Sequence, residues 1–354
     1  MIAIENLGFT YPRAKTAALK DFSLAVPEGS VAVVAGESGS GKTTLLRLIA
    51  GFLLPDSGTI AIGERRVSDT KSIVAPEDRA VGVVFQDFAL FPHLTVEQNV
   101  EFGIRRLGRR ARGARVAECL DLLGIGDLAQ RYPHELSGGQ AQRTALARTL
   151  APSPRVIVMD EPFNNLNVAL RHELVPLVGH VLRSTGTTAV VVTHDPHEAF
   201  ELADQMALLK DGRLEQIGTA RELYEEPATR YVAHFFGPVN ELDPAGVLAR
   251  SLTAAVAGQR GAGDDPVPLP KTQEGSLVLR PEQIALVDEG AGQVDASVEA
   301  VRFAGEHLVV ELAGQWSGLL RAHVEKGDVA IGSRVGVSIG SAATSRHAES
   351  VSSA

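Results

Sequence analysis

A short apolar run, Val31-Ala-Val-Val-Ala35, leads straight into Gly36-Glu37-Ser38-Gly39-Ser40-Gly41-Lys42-Thr43. That loop is followed by Thr44-Leu-Leu-Arg-Leu-Ile-Ala50, whose apolar residues fall at helical spacing, with Gly51 and Pro55 to stop the helix. A buried strand, a glycine-rich turn and a helix in that order restrict the fold. Such a strand has to sit inside a sheet that is covered on both faces. The turn has the pattern G-x4-G-K-S/T in the context the pattern demands. Its glycines let backbone N–H groups wrap a phosphate, and the start of the helix adds partial positive charge. Lys42 then falls between the β- and γ-phosphates of a nucleotide, and the Thr43 hydroxyl on Mg²⁺.

Three further apolar runs, Val81-Gly-Val-Val-Phe85, Val156-Ile-Val-Met159 and Thr188-Ala-Val-Val-Val192, read as buried strands. Between the first two, from about residue 87 to residue 150, the pattern turns helical. Strands alternating with helices predict an α/β domain with a largely parallel sheet. At 354 residues the chain has room for about two domains. The net charge of −9 gives it no general attraction to nucleic acid. A lone Cys119 excludes an internal disulfide framework and suits a small core residue in a reducing compartment. The first residues, Met1-Ile-Ala-Ile-Glu-Asn-Leu, alternate like a strand and lack a signal-peptide pattern. No stretch reaches about 18 apolar residues, so any link to a membrane is expected to pass through a partner.

The remaining chemistry clusters at strand ends. Asp160 and Glu161 close the third apolar run, placing one carboxylate to join a Mg²⁺ shell and another to take a proton from an attacking water. Gln86 follows the second run, where a neutral amide reaches Mg²⁺ or water without adding charge. His194 follows the fourth, placed to hydrogen-bond a γ-phosphate. Leu136-Ser137-Gly138-Gly139-Gln140 offers a hydroxyl, two N–H groups free of side chains and an amide, but no lysine lies beside it.

Taken together, these residues resemble the ATP-binding-cassette ATPases over the first ~235 residues. Tyr11 matches the aromatic on which that family stacks adenine. Gly36 to Thr44 matches its phosphate loop, Gln86 its glutamine loop, and Ser137, Gly138, Gly139 and Gln140 lie in its signature. Asp160 and Glu161 match its magnesium and base carboxylates, and His194 its switch histidine. The resemblance implies ATP and Mg²⁺ as cofactors. It also implies a head-to-tail dimer in which each ATP meets Lys42 of one chain and Ser137, Gly138 and Gly139 of the other. Ser137→Arg in one chain then impairs the site whose Lys42 lies in its partner.

A narrower resemblance is to import ATPases that carry a C-terminal regulatory domain. Phe85-Gln86-Asp-Phe88-Ala-Leu-Phe91-Pro-His-Leu94-Thr-Val96 looks like the region where that group receives a coupling helix of the membrane permease. Phe88, Phe91 and Leu94 suit that contact, or equally the core of the helical subdomain. Leu279-Arg-Pro-Glu282 opens the second domain as it does in that group, and Ala129-Gln-Arg-Tyr-Pro-His-Glu135 looks most like its ferric-iron branch. The group includes importers of maltose, polyamine, sulfate and ferric iron, and the solute is delivered by a separate binding protein. The implied location is peripheral, on the cytoplasmic face of the membrane.

The expected organisation is a P-loop cassette over residues 1–235, with a helical subdomain at about 87–150. A small all-β, OB-like domain is expected over residues 236–340 and a disordered tail over 341–354. Residues 257–275, rich in Gly, Asp and Pro, read as a linker or long loop. The six arginines from Arg105 to Arg115 suit a solvated helix face or lipid headgroups; without interleaved aromatics they do not suit nucleic acid. Two other readings stand beside the importer. A soluble cassette ATPase acting on DNA or ribosomes tends to carry a long coiled-coil insertion or two cassettes, and neither is present. A module that binds ATP without turnover is opposed by the intact Glu161 and His194. One departure is visible: the family usually shows Ser-x-Leu-Asp where this chain has Asn164-Asn165-Leu166-Asn167. Asn167 keeps the size and hydrogen bonding of the aspartate but loses its charge, so communication between the two sites is expected to differ while hydrolysis persists.

Overall fold

The computed structural model describes residues 1–246, 248–251, 270–316, 318–325 and 329–339. Most of the expected linker at 257–275, and the whole expected tail at 341–354, lie outside the described residues. The chain separates into two compact units, Met1–Leu223 and Tyr224–Ala354.

The first unit holds two sheets. β1 (Ile2–Phe9), β2 (Leu19–Val26), β4 (Ser57–Ile62) and β5 (Arg65–Ser68) pair antiparallel in the order β2-β1-β4-β5. The other sheet has the order β10-β9-β3-β8-β7-β6. It comprises β3 (Val31–Ala35), β6 (Val81–Val84), β7 (Val156–Asp160), β8 (Thr188–Thr193), β9 (Gln205–Lys210) and β10 (Arg213–Gly218). All neighbouring pairs are parallel except β9 with β10. β3 and β8 are buried at every residue, which is why they read as unbroken Val/Ala runs rather than alternating ones. β6 stops at Val84, one residue short of its expected end; Phe85 already belongs to the loop and is exposed.

The phosphate-loop helix α1 (Lys42–Ala50) fills the space between the sheets. Leu45, Leu48 and Ile49 are fully buried and share a core with Ile2, Ile4 and Phe22 of the antiparallel sheet and Val34, Val158 and Val192 of the parallel one. Each such side chain stabilises the fold by about 1.5–3 kcal/mol. The helix ends at Gly51, whose φ of 90° is left-handed. A Cβ there would lie 2.4 Å from Arg79 Nε, so glycine serves twice.

Arg79 was not singled out in the sequence, and it organises this corner. Only 2% exposed, it donates from Nη1 to the Leu48 and Ile49 carbonyls at 2.8 Å each, satisfying the C-terminal end of α1. Nε donates to Val74 O and Nη2 to Val67 O, at 2.8 and 3.1 Å. Burial lowers its pKa to about 10, which still leaves it charged at neutral pH.

Between β6 and β7 lie α2 (Val96–Glu101), α3 (Arg109–Leu122) and α4 (Gly138–Leu150). They pack on one another, and Val100, Val116, Cys119, Leu120 and Leu146 on them are buried. Thr95 opens α2 with a reciprocal capping box to Gln98. After β7 come α5 (Val168–Ser184), α6 (Pro196–Leu202) and, following β10, α7 (Ala220–Glu225).

In the second unit, α8 (Arg230–Phe235) precedes a two-stranded ladder of β11 (Asn240–Leu242) and β12 (Leu277–Leu279). Five antiparallel strands follow in the order β13-β17-β14-β15-β16. They are β13 (Ile284–Val287), β14 (Val294–Phe303), β15 (Leu308–Gly314), β16 (Leu320–Val324) and β17 (Arg334–Ile339). The edge strands β13 and β16 approach each other, so the sheet curls toward a small barrel around Val298, Val310, Leu312 and Val337. No described helix is long and apolar enough to cross a membrane.

Arg79→Met should lower the stability of the first unit by about 3 kcal/mol, because the truncation strands several buried carbonyls. Chemical denaturation followed by tryptophan-independent circular dichroism reads this; an unchanged midpoint would show that water replaces the guanidinium without cost.

Candidate functional site

Register brings the chemistry together. Ala35 pairs with Thr193, Val192 with Asp160 and Met159 with Val84, so the parallel strands β3, β8, β7 and β6 end along one edge. That edge receives the loop 36–41, His194, Asp160 with Glu161, and Gln86. The crevice beyond the carboxyl ends of parallel strands is where open α/β sheets bind ligands.

The loop itself has room only for glycine at two places. At Gly36 (φ 149°) a Cβ would stand 2.2 Å from the Leu209 carbonyl, and at Gly41 (φ 109°) 2.3 Å from the Ala18 carbonyl. Gly39 is also left-handed, at φ 85°. Inside the cradle the Ser40 side chain is 5% exposed, and its Oγ has no hydrogen-bond partner among the described residues. Lys42 donates from Nζ to the carbonyls of Gly36 and Glu37 at 2.7 and 2.8 Å. Burial pushes its pKa down, and the carboxylates of Glu161, Asp160 and Glu37 oppose that shift. Tyr11 reaches the helix start, its hydroxyl 3.2 Å from Thr44 Oγ1 and its ring set edge-on against Phe9.

Thr43 Oγ1 donates to Asp160 Oδ1 at 3.1 Å. Burial pushes the Asp160 carboxyl up, and the Thr43 bond opposes it. A hydroxyl and one carboxylate at the edge of a phosphate cradle fit Mg²⁺, which is held by few protein oxygens and completes its shell with phosphates and water. Among the described residues no group of three or more His, Cys, Asp and Glu is placed to hold a metal ion. Gln86 is not drawn into this pair. It is exposed, and its backbone carbonyl accepts from Asn165 Nδ2 at 3.2 Å.

Glu161 carries local strain, with φ at +44° and its N–H donated to Val192 O at 3.1 Å. Its Oε2 accepts from Asn164 Nδ2 at 3.0 Å and lies 3.5 Å from His194 Nδ1. His194 remains 47% exposed, so its ring faces the crevice rather than the core.

Ser137 caps α4. Its Oγ accepts from Gln140 N–H while its own N–H donates to Gln140 Oε1, at 3.4 and 2.9 Å. Each side chain of this motif therefore satisfies the other residue's backbone N–H, and the N–H groups of Gly138 and Gly139 are left without helical acceptors. Both glycines also sit close against apolar neighbours: a Cβ would come within 3.3 Å of Leu166 at Gly138 and 3.1 Å of Leu174 at Gly139. The spacing Ser-x-x-Gln was a visible capping signal; the bonds made by Asn164 and Asn165 had none.

A parallel sheet with a phosphate loop after β3, a carboxylate pair after β7 and a helical insertion between β6 and β7 defines a P-loop nucleotide-binding cassette. Residues 19–164 match the ABC transporter family and residues 277–345 the TOBE domain. The chain is 41% identical over 305 residues to the Fe(3+) ions import ATP-binding protein FbpC of Pseudomonas fluorescens, covering 85% of this chain and 84% of that one. It is 38% identical to the sulfate/thiosulfate import ATP-binding protein CysA of Thermosynechococcus vestitus, covering 92% and 90%. It is 42% identical to the spermidine/putrescine import ATP-binding protein PotA of Oleidesulfovibrio alaskensis, covering 77% and 73%. Among solved structures it is similar to the ATP-binding cassette MJ0796 in a dimeric post-hydrolysis state bound to ADP and Pi (TM-score 0.55, 32% identity, covering 62% of this chain and 99% of that one). The chain belongs to the ATP-binding proteins of ABC transporters, in the import group whose cassette is followed by a TOBE domain.

Asn167 caps α5, its Oδ1 accepting from Leu170 N–H at 2.9 Å. An aspartate makes the same bond and adds charge at the helix start, which favours it by about 0.3–1 kcal/mol. Asn167→Asp should therefore fold at least as well and raise the cooperativity of ATP hydrolysis. Unchanged rate and cooperativity would remove Asn167 from any role in communication between sites.

Proposed function

We propose that the chain is the ATP-hydrolysing subunit of an importer, working as a head-to-tail dimer on the cytoplasmic face of the membrane. The observation that carries this reading is the division of the site. One edge of the sheet gathers a phosphate cradle with Lys42, the Thr43–Asp160 pair, Glu161 and His194, while Ser137, Gly138 and Gly139 start a different element, α4. A second copy supplies them to the same ATP.

In this reading Tyr11 stacks on adenine, and the loop from Gly36 through Glu37, Ser38, Gly39, Ser40 and Gly41 to Thr44 wraps the phosphates. Thr43 and Asp160, with Gln86 after closure, hold Mg²⁺, which neutralises charge on the phosphate oxygens. Lys42 leaves its loop carbonyls for the β- and γ-phosphates, a cation whose desolvation is balanced by the new anion. Glu161 takes the proton of the water whose oxygen bonds to the γ-phosphorus; the bond to the bridging oxygen breaks, and ADP and phosphate leave. Asn164 holds the Glu161 carboxylate in position, and His194, near the same carboxylate oxygen, donates to the γ-phosphate.

Phe52 and Phe85 support a permease surface near Phe88–Leu94. They are 50% and 39% exposed, and their rings lie 6.4 Å apart beside that loop. The cargo we assign is ferric iron, on the Ala129–Glu135 segment and the ferric relative; the sulfate and polyamine relatives support the same machine with another solute.

Two experiments test this. Ser137→Arg and Lys42→Ala chains should each be nearly inactive, as should Glu161→Gln. Mixed one to one, the first two should recover about a quarter of the wild-type rate, since random pairing leaves half the dimers with one intact site of two. No recovery would place both halves of the site in one chain or remove the dimer. Deleting the gene should abolish uptake of labelled ferric iron and spare sulfate and spermidine; loss of sulfate or spermidine uptake instead would reassign the cargo.

A further inference from the structure

The stretch between β6 and α2 has no regular secondary structure, yet side chains from three separate elements hold it. Asn165 fixes its start through the Gln86 carbonyl at 3.2 Å. Asn99 of α2, fully buried, fixes its end: Oδ1 accepts from Phe91 N–H at 2.8 Å, and Nδ2 donates to the carbonyls of Phe91 and Leu94 at 3.2 and 3.0 Å. The middle is held by Arg148 of α4. Its Nη1 donates to Ala89 O at 2.6 Å, its Nη2 to Phe88 O at 2.9 Å, and the guanidinium lies 5.6 Å from the centre of the Phe91 ring.

The two residues Arg148 holds are unusual. Phe88 and Ala89 have φ values of 61° and 46°, a left-handed conformation that residues other than glycine rarely adopt. Two in succession persist only where the surroundings over-determine them. Their carbonyls meet one planar, two-pronged donor, a geometry lysine cannot reproduce.

Arg148 lies in the last turn of α4, and Ser137 caps the first. The helix is about 20 Å long at its 13 residues, and Ala145, Leu146, Ala147 and Leu150 bury its inner face. A packed helix of this length moves as a unit, so displacing its Ser137 end displaces whatever Arg148 grips.

We propose that Arg148 is a positioning residue that locks the Phe88–Ala89 turn to the far end of α4 and thereby ties the surface offered to the permease to the Ser137 end of the same helix. This rests on the reading of Phe88–Leu94 as the permease surface and of Ser137–Gln140 as half of a nucleotide site.

Amide hydrogen exchange on the full chain tests it, comparing wild type with Arg148→Gln and Arg148→Lys. The Phe88 amide, bonded to Phe85 O at 2.9 Å, is the probe, and the amides of β7 and β8 report any global loosening. Without nucleotide, exchange at Phe88 should rise at least tenfold in Arg148→Gln and by an intermediate amount in Arg148→Lys, with β7 and β8 unchanged. Repeated with MgATP in a Glu161→Gln background, protection gained at Gly138–Gln140 should be matched by a change at Phe88 that vanishes when Arg148 is replaced. Basal ATP turnover of the single variants should stay within about twofold of wild type. Unchanged exchange at Phe88 in Arg148→Gln overturns the lock, and a nucleotide response at Phe88 that survives the substitution overturns the link. If MgATP protects neither Gly138–Gln140 nor the phosphate loop, the nucleotide reading fails, while the nucleotide-free comparison still decides the lock.

Discussion

The site depends on four parallel strands ending level. Because β3, β8, β7 and β6 are hydrogen-bonded in fixed register, a slip of one residue would turn Asp160 or Thr193 to the opposite face of the sheet. That register is enforced by burial on both faces: Val31–Ala35 and Thr188–Thr193 have no solvated side to slip toward. Hydrophobic packing, which has no direction of its own, thereby fixes the positions of directional groups.

Of the nine described non-glycine residues with left-handed backbone, three stand where chemistry or contact is expected. Glu161, Phe88 and Ala89 adopt left-handed backbone without being glycine, and each is restrained by side-chain bonds from Asn164 or Arg148. Strain of this kind needs neighbours that over-determine it, and the neighbours here come from different elements of the fold. Arg79 plays the corresponding part for α1, where it satisfies carbonyls that no backbone donor reaches.

Much of this was legible in the sequence. Val31–Ala35, the phosphate loop and α1 were readable because apolar period, glycine spacing and helix stops all agreed on the same element. The small β domain was readable from short strands broken by glycines, such as Leu308–Leu312 within β15. The clamps were not legible. Arg79 stands among ordinary loop residues, and its five acceptors are brought together only by the fold. Asn164 stands out only as a departure from a family pattern and Asn165 not at all, and nothing in their spacing points to Glu161 or to the backbone of Gln86. Nothing in the sequence marks Arg148, since its targets lie about 60 residues away in the chain. Side chains that act over long sequence separations leave no periodic trace.

The capping box at Ser137 has a consequence for assembly. The Ser137 and Gln140 side chains are each held by the other residue's backbone N–H within a single chain. A surface whose rotamers are fixed beforehand loses little conformational freedom when another molecule settles on it. In the proposed dimer the N-terminus of α4 would meet the partner's nucleotide as a rigid, partly positive surface, and the free energy of that contact would go into association rather than into ordering the loop.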